Sequence, residues 1–112
     1  VFTPEGRVNL RNAQFREDSG PIQADCDCYT CRTFTRAYLR HLIIAKEILA
    51  ARLNTIHNLA FMLRLARDVR QAILEDRFGA FHDGFLTTYQ TADARARRAN
   101  RDAFRASRNA DA

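Results

Sequence analysis

The residues best equipped for chemistry lie in one run, Cys26-Asp-Cys28-Tyr-Thr-Cys31, with His57 further along the chain. Three sulfur donors and one imidazole make a Cys₃His set. Zinc imposes no geometry of its own and takes thiolate and imidazole at tetrahedral corners, so such a set closes a structural site with no open position. The short spacings let one tight loop supply three corners, and the long spacing calls for a helix to bring the fourth back. Other readings remain open. One disulfide with a spare thiol fits poorly, because the cysteine count is odd and the chain holds no further cysteine. Cys26 and Cys28 are also badly spaced to bridge each other. An iron–sulfur cluster ordinarily wants a fourth cysteine. His57 as a plain helix histidine, or redox catalysis by the thiols, stand as alternatives. The expectation is one structural zinc held by Cys26, Cys28, Cys31 and His57.

The elements that must position these donors follow from periodicity. Thr3 to Gly6 has turn chemistry, with Pro4 presetting φ and Gly6 tolerating a positive one. Val8 to Leu10 alternates as a short strand with Phe15 near its end, and Gly20-Pro21 breaks the loop that follows. Beyond the cysteines the period becomes helical. Thr33 or Thr35 caps a first long helix running to about Ala51. Asn54 or Thr55 caps a second, which puts His57 in its first turn and runs to about Arg77. Gly79 ends it, and a shorter helix closes near Tyr89. Residues 91–112 are rich in Ala and Arg with almost no apolar face beyond Phe104, and read as a frayed helix or disorder. The fold class is α+β and mostly helical: a short strand region and a zinc knuckle, then two long helices. Residues 1–53 form the zinc-binding part, 54–90 the second and third helices, and 91–112 a basic tail.

Composition narrows the function class. A chain of 112 residues is one domain at most, and 46% hydrophobic content permits a small core that a metal staple would help. No stretch reaches the roughly 20 apolar residues of a membrane span, and reduced cysteines point to the cytoplasm. The net charge is +5, and the stretch 91–112 supplies +3 of it, with six arginines against three aspartates. The rest is nearly balanced. Arg32, Arg36 and Arg40 recur at four-residue spacing, either as a solvated face or, for Arg32 and Arg36, as phosphate contacts beside the zinc. His41 and His82 have no donor partners nearby in sequence and are assigned to structure.

Four ordered motifs carry a likeness. Gly6-Arg-Val-Asn-Leu-Arg-Asn-Ala13, Cys26-x-Cys28-x-x-Cys31, Arg36-Ala-Tyr-Leu-Arg-His-Leu42 and His57-Asn-Leu-Ala-Phe61 resemble the C-terminal part of bacterial tRNA-guanine transglycosylases, over about residues 1–90. The resemblance implies a TIM-barrel transferase that exchanges the wobble guanine of tRNA for a 7-deazaguanine precursor in queuosine biosynthesis. It implies a zinc subdomain inserted before the last barrel helix, with Cys26, Cys28, Cys31 and His57 as ligands and the second long helix closing the barrel. It implies a homodimer, to which a surface of Phe34, Tyr38 and Leu42 would contribute. The family's catalytic aspartates fall in the barrel and match no position here, so the catalytic set is empty and this piece alone is expected to be inactive. Two alternatives stand beside this: a free-standing zinc module that binds nucleic acid, and a dimerisation domain.

Overall fold

The computed structural model describes residues 1–90 and 92–110. Strand β1 (Phe2–Thr3) pairs antiparallel with β2 (Gly6–Arg7), Phe2 opposite Arg7 and Thr3 opposite Gly6. The turn between them is the one its residues call for: Gly6 has φ 133, where a side chain would be strained. Thr3 Oγ1 donates to the Gly6 carbonyl at 2.7 Å. The strand expected at Val8–Leu10 is displaced. Pairing flanks the turn instead and dies out as Val8 N–H donates to the Val1 carbonyl at 2.9 Å. Leu10 then leaves the hairpin to enter the core.

A long loop with one 3-10 turn (Ala13–Phe15) leads to the cysteines. Helix α1 (Tyr29–Thr33) is a single short helix, and α2 (Arg36–Ile44) starts where Thr35 Oγ1 accepts the Tyr38 N–H at 3.0 Å, the cap that its sequence offers. The first helix does not run to Ala51. It stops at Ala45, and Lys46 takes a left-handed conformation (φ 59). Glu47 N–H then reaches the Leu42 carbonyl and Lys46 N–H the Ile43 carbonyl, the paired bonds of a Schellman ending. Helix α3 (Ile48–Leu74) begins at once, so Ile48–Ala51 belong to it, and the expected division between residues 53 and 54 falls inside it. Thr55 does not cap: its hydroxyl donates to the Ala51 carbonyl within the helix at 2.7 Å. The same ending recurs at the far end, with Asp76 at φ 54 and Arg77 N–H on the Ala72 carbonyl. Gly79, expected as the stop, lies inside α4 (Phe78–Thr88). Helix α5 (Ala92–Ala110) accounts for the described part of the basic tail.

The architecture is thus mostly helical with one two-stranded sheet. Leu10, Phe15, Ile22, the three cysteines, Leu39, Leu42, Ala50 and Leu53 form the core, where the loop and α2 close on the first turns of α3. Spacing of three and four residues puts Ala50, Leu53, His57, Phe61 and Arg64 on the inner face of α3. The opposite face is apolar too, yet open: Ile48 is 87% exposed and Leu63 71%, with Leu59, Met62, Ile73 and Leu74 also exposed. None of the described helices is long and apolar enough to cross a membrane.

Candidate metal centre

Each donor is placed by a different local device. Cys26 follows a turn in which its N–H donates to the Gln23 carbonyl at 3.2 Å. Cys28 is the N-cap of α1, its sulfur accepting the Cys31 N–H at 3.4 Å. Cys31 rides on that same helix. Thr30 between them is fully buried and ties α1 to α3 by donating to the Leu53 carbonyl at 2.6 Å. His57 comes from the third turn of α3, not the first turn of a shorter helix, and is also fully buried. A mid-helix backbone holds it at least as firmly as a helix start would.

These residues converge. His57 Nδ1 lies 3.5 Å from Cys26 Sγ, 3.7 Å from Cys28 Sγ and 3.3 Å from Cys31 Sγ. Zinc–sulfur bonds of about 2.3 Å and a zinc–nitrogen bond of about 2.0 Å would set the sulfur–nitrogen edge of a tetrahedron at about 3.6 Å. The observed edges bracket that value, and all four donor atoms lie within 4.8 Å of one another. The group is suited to holding one metal ion.

The chemistry of the donors agrees with their geometry. His57 Nε2 sits 2.7 Å from the Phe2 carbonyl oxygen, which can only accept, so the ring proton is on Nε2 and the Nδ1 lone pair faces the sulfurs. A carbonyl behind a ligating imidazole fixes both its tautomer and its tilt. Burial, aided by the positive charge of Arg64, lowers the His57 pKa and keeps the ring neutral. Without a cation the thiols conflict. Burial, with the neighbouring cysteines adding to it, pushes Cys31 up to about 12. Burial also opposes ionisation of Cys26, but the Cys28 N–H and the Arg64 guanidinium outweigh it and lower its pKa. A dication removes the conflict for all three at once.

Arg64 is the residue that sequence reading missed. Its Nη1 donates to Cys26 Sγ at 3.1 Å and to Asp27 Oδ1 at 3.3 Å. Three thiolates and a dication carry one net negative charge, and the Arg64 guanidinium offsets it. The signal was present: Arg64 lies two helical turns beyond His57 on the same face. Arg64→Ala is expected to weaken zinc affinity by about 10- to 100-fold, the usual effect of losing an outer-shell partner. Competition with a chromogenic chelator measures it, and unchanged affinity would remove Arg64 from the centre.

The other candidate residues part ways. Arg32 is exposed, but Arg36 is engaged within the chain. It pairs with Asp18 at 3.3 Å, donates to the Ile22 carbonyl at 2.8 Å and lies over the Phe15 ring, 5.6 Å from its centroid. Arg40 likewise reaches the Asn12 carbonyl at 3.2 Å. Two members of the arginine stripe therefore clamp the loop, and Arg36 is not free for phosphate. Leu42 is buried against the core, one turn on from Leu39, so it leaves the proposed dimer surface. Phe34 and Tyr38 stack on each other at 5.3 Å, with Tyr29 edge-on to Phe34. His41 stacks on Tyr38, and His82 meets Asp83 and the Phe78 ring.

Comparison with known proteins places these features. A family model described as queuine tRNA-ribosyltransferase matches residues 1–91. The chain is 48% identical over 103 residues to the queuine tRNA-ribosyltransferase of Herpetosiphon aurantiacus, covering 92% of this chain and 26% of that protein. It is 55% identical over 89 residues to that of Bacillus subtilis, covering 80% and 23%. For the Dictyoglomus turgidum protein the identity is 50% over 92 residues, covering 82% and 24%. The chain spans about a quarter of the length of these relatives.

Proposed function

The chain belongs to the queuine tRNA-ribosyltransferase family, and from that premise we propose that it is the metal-clasped C-terminal portion of a tRNA-guanine transglycosylase. In this reading the parent enzyme is a cytoplasmic TIM-barrel protein. It exchanges the wobble guanine of tRNA for a 7-deazaguanine precursor of queuosine. Cys26, Cys28, Cys31 and His57 hold one zinc, which supplies no chemistry to the exchange. It fixes the hairpin, the cysteine loop and α1 onto α3.

The observation that carries the reading is that the four converging donors lie within the span the family model matches, residues 1–91. The open apolar face of α3 supports the barrel part of the proposal. Ile48, Leu59, Met62, Leu63, Ile73 and Leu74 fall along one side of a single 27-residue helix and are left in solvent. A stripe of that length is what a closing barrel helix would bury against its strands and neighbours. A free-standing zinc module would have no use for it. We place a homodimer contact on the Tyr29, Phe34 and Tyr38 rings, with sedimentation velocity at rising concentration as its measure.

The test has two readouts. Metal analysis of the purified chain should give one zinc per molecule. The chain alone should incorporate no radiolabelled guanine into tRNA, because the thiols that face the His57 imidazole are the metal ligands themselves and are not free to act as nucleophiles. Absence of zinc, or exchange by the isolated chain, refutes the assignment.

A further inference from the structure

Helix α5 has taken no part in the metal centre, yet its charge is strongly one-sided. Its 19 residues, Ala92–Ala110, advance by 3.6 residues per turn. At that period Arg97, Arg98, Arg101, Arg105 and Arg108 share an arc of about 100°, and the stripe from Arg97 to Arg108 is about 16 Å long. Every residue from 97 to 110 is exposed. The one acidic residue among them, Asp102, lies at the margin of the arc. On the opposite side the face is Ala99, Ala103, Ala106 and Ala110.

We propose that this arginine face binds the phosphate backbone of tRNA. The inference rests on the transglycosylase reading for its partner and on the stripe itself for its site. Five like charges on one exposed face raise a positive potential that a polyanion can neutralise, releasing the counterions it displaces. Guanidinium forks match phosphate oxygens two bonds at a time, which ammonium groups do not. A membrane surface fits less well. An interfacial helix needs bulky apolar side chains opposite its basic face, and here that face is alanine. The single large apolar residue, Phe104, lies beside the stripe under the Arg108 guanidinium, 5.8 Å from it. Phosphate contacts of this kind add affinity and register without reading sequence.

The experiment is fluorescence anisotropy of a labelled, unmodified tRNA transcript titrated with the zinc-loaded 112-residue chain, across a range of salt. The comparison is the Arg101→Ala, Arg105→Ala, Arg108→Ala triple variant. Zinc content and circular dichroism confirm that its fold is intact. Each lost phosphate contact removes about 0.7 to 0.9 from the slope of log affinity against log salt. The triple variant should therefore flatten that slope by about 2 and bind about 10- to 100-fold more weakly at low salt. The corresponding Arg→Lys triple should keep most of the slope. Equal slopes for wild type and the alanine variant would overturn the α5 assignment and leave the transglycosylase reading untouched. Wild-type chain that ignores tRNA but binds phosphatidylserine vesicles or polyglutamate would overturn it too, in favour of those partners. Failure of the transglycosylase reading shows separately, in the zinc and base-exchange assays.

Discussion

Replacing His57 by Ala should strip the metal from the chain and unfold everything that reaches α3 through it. Apparent binding energies of structural zinc are about 10 to 16 kcal/mol near neutral pH, and that energy is folding energy. The net stability of a domain is about 5 to 15 kcal/mol. Loss of the ion therefore removes an amount comparable to the whole. The order of collapse can be read from the contacts. The hairpin is held by the Phe2 carbonyl on the His57 ring and by Phe2 N–H on Asn58 Oδ1 at 3.0 Å. The substitution takes the first of these anchors directly. The cysteine loop then carries three thiols, with Cys31 pushed up to about 12 by burial and no cation to favour its ionisation. α4 and the part of α3 beyond Arg64 supply none of the donors. Circular dichroism should fall only in part, while hydrogen exchange accelerates over residues 1–44. Chelator should reproduce the effect in the parent chain, zinc should reverse it there, and zinc should fail to rescue His57→Ala. Cys28→Ser should behave alike. A melting curve indifferent to chelator would sink the claim that the centre holds the fold.

What the sequence disclosed follows from which signals are local. The Cys₃His set was legible because ligand chemistry tolerates few residue types and the loop spacing is short. Thr35 as a cap was legible because its side chain competes for the Tyr38 N–H in any context. The helix boundaries were not. Both breaks use a left-handed residue, and the sequence offers Lys46 and Asp76 where glycine is the usual mark. Gly79 drew the expected stop to itself and was spent inside α4. Thr55 looked like a cap yet bonds back to Ala51, a choice made by the helix around it. The stripe of Arg36 and Arg40 was misjudged for a related reason. Four-residue spacing shows that side chains share a face, but not that a loop from 14 to 28 residues earlier will fold over that face. Leu42 left the proposed dimer surface because the α2 face it shares with Leu39 is the one turned to α3.

Leu39→Ala should cost about 3 kcal/mol and leave one zinc bound. Leu39 is fully buried at the meeting of α2 with α3, and removing a buried leucine side chain forfeits its transfer energy and leaves a cavity, about 2 to 5 kcal/mol together. Leu39 is not one of the four donors, so the damage expected is to packing. Chemical denaturation in the presence of zinc reads the loss, and metal analysis shows the centre intact. The informative comparison is Leu63→Ala. Leu63 is 71% exposed in this chain, so truncating it should change stability by no more than about 0.5 kcal/mol. In a longer protein that carries the proposed barrel, the same substitution should climb toward the cost of Leu39→Ala, because α3 would then be covered on both sides. Equal and small effects in the short and the long chain would mean that the apolar face of α3 meets water in both. The closing-helix assignment would fall, while the metal centre would stand.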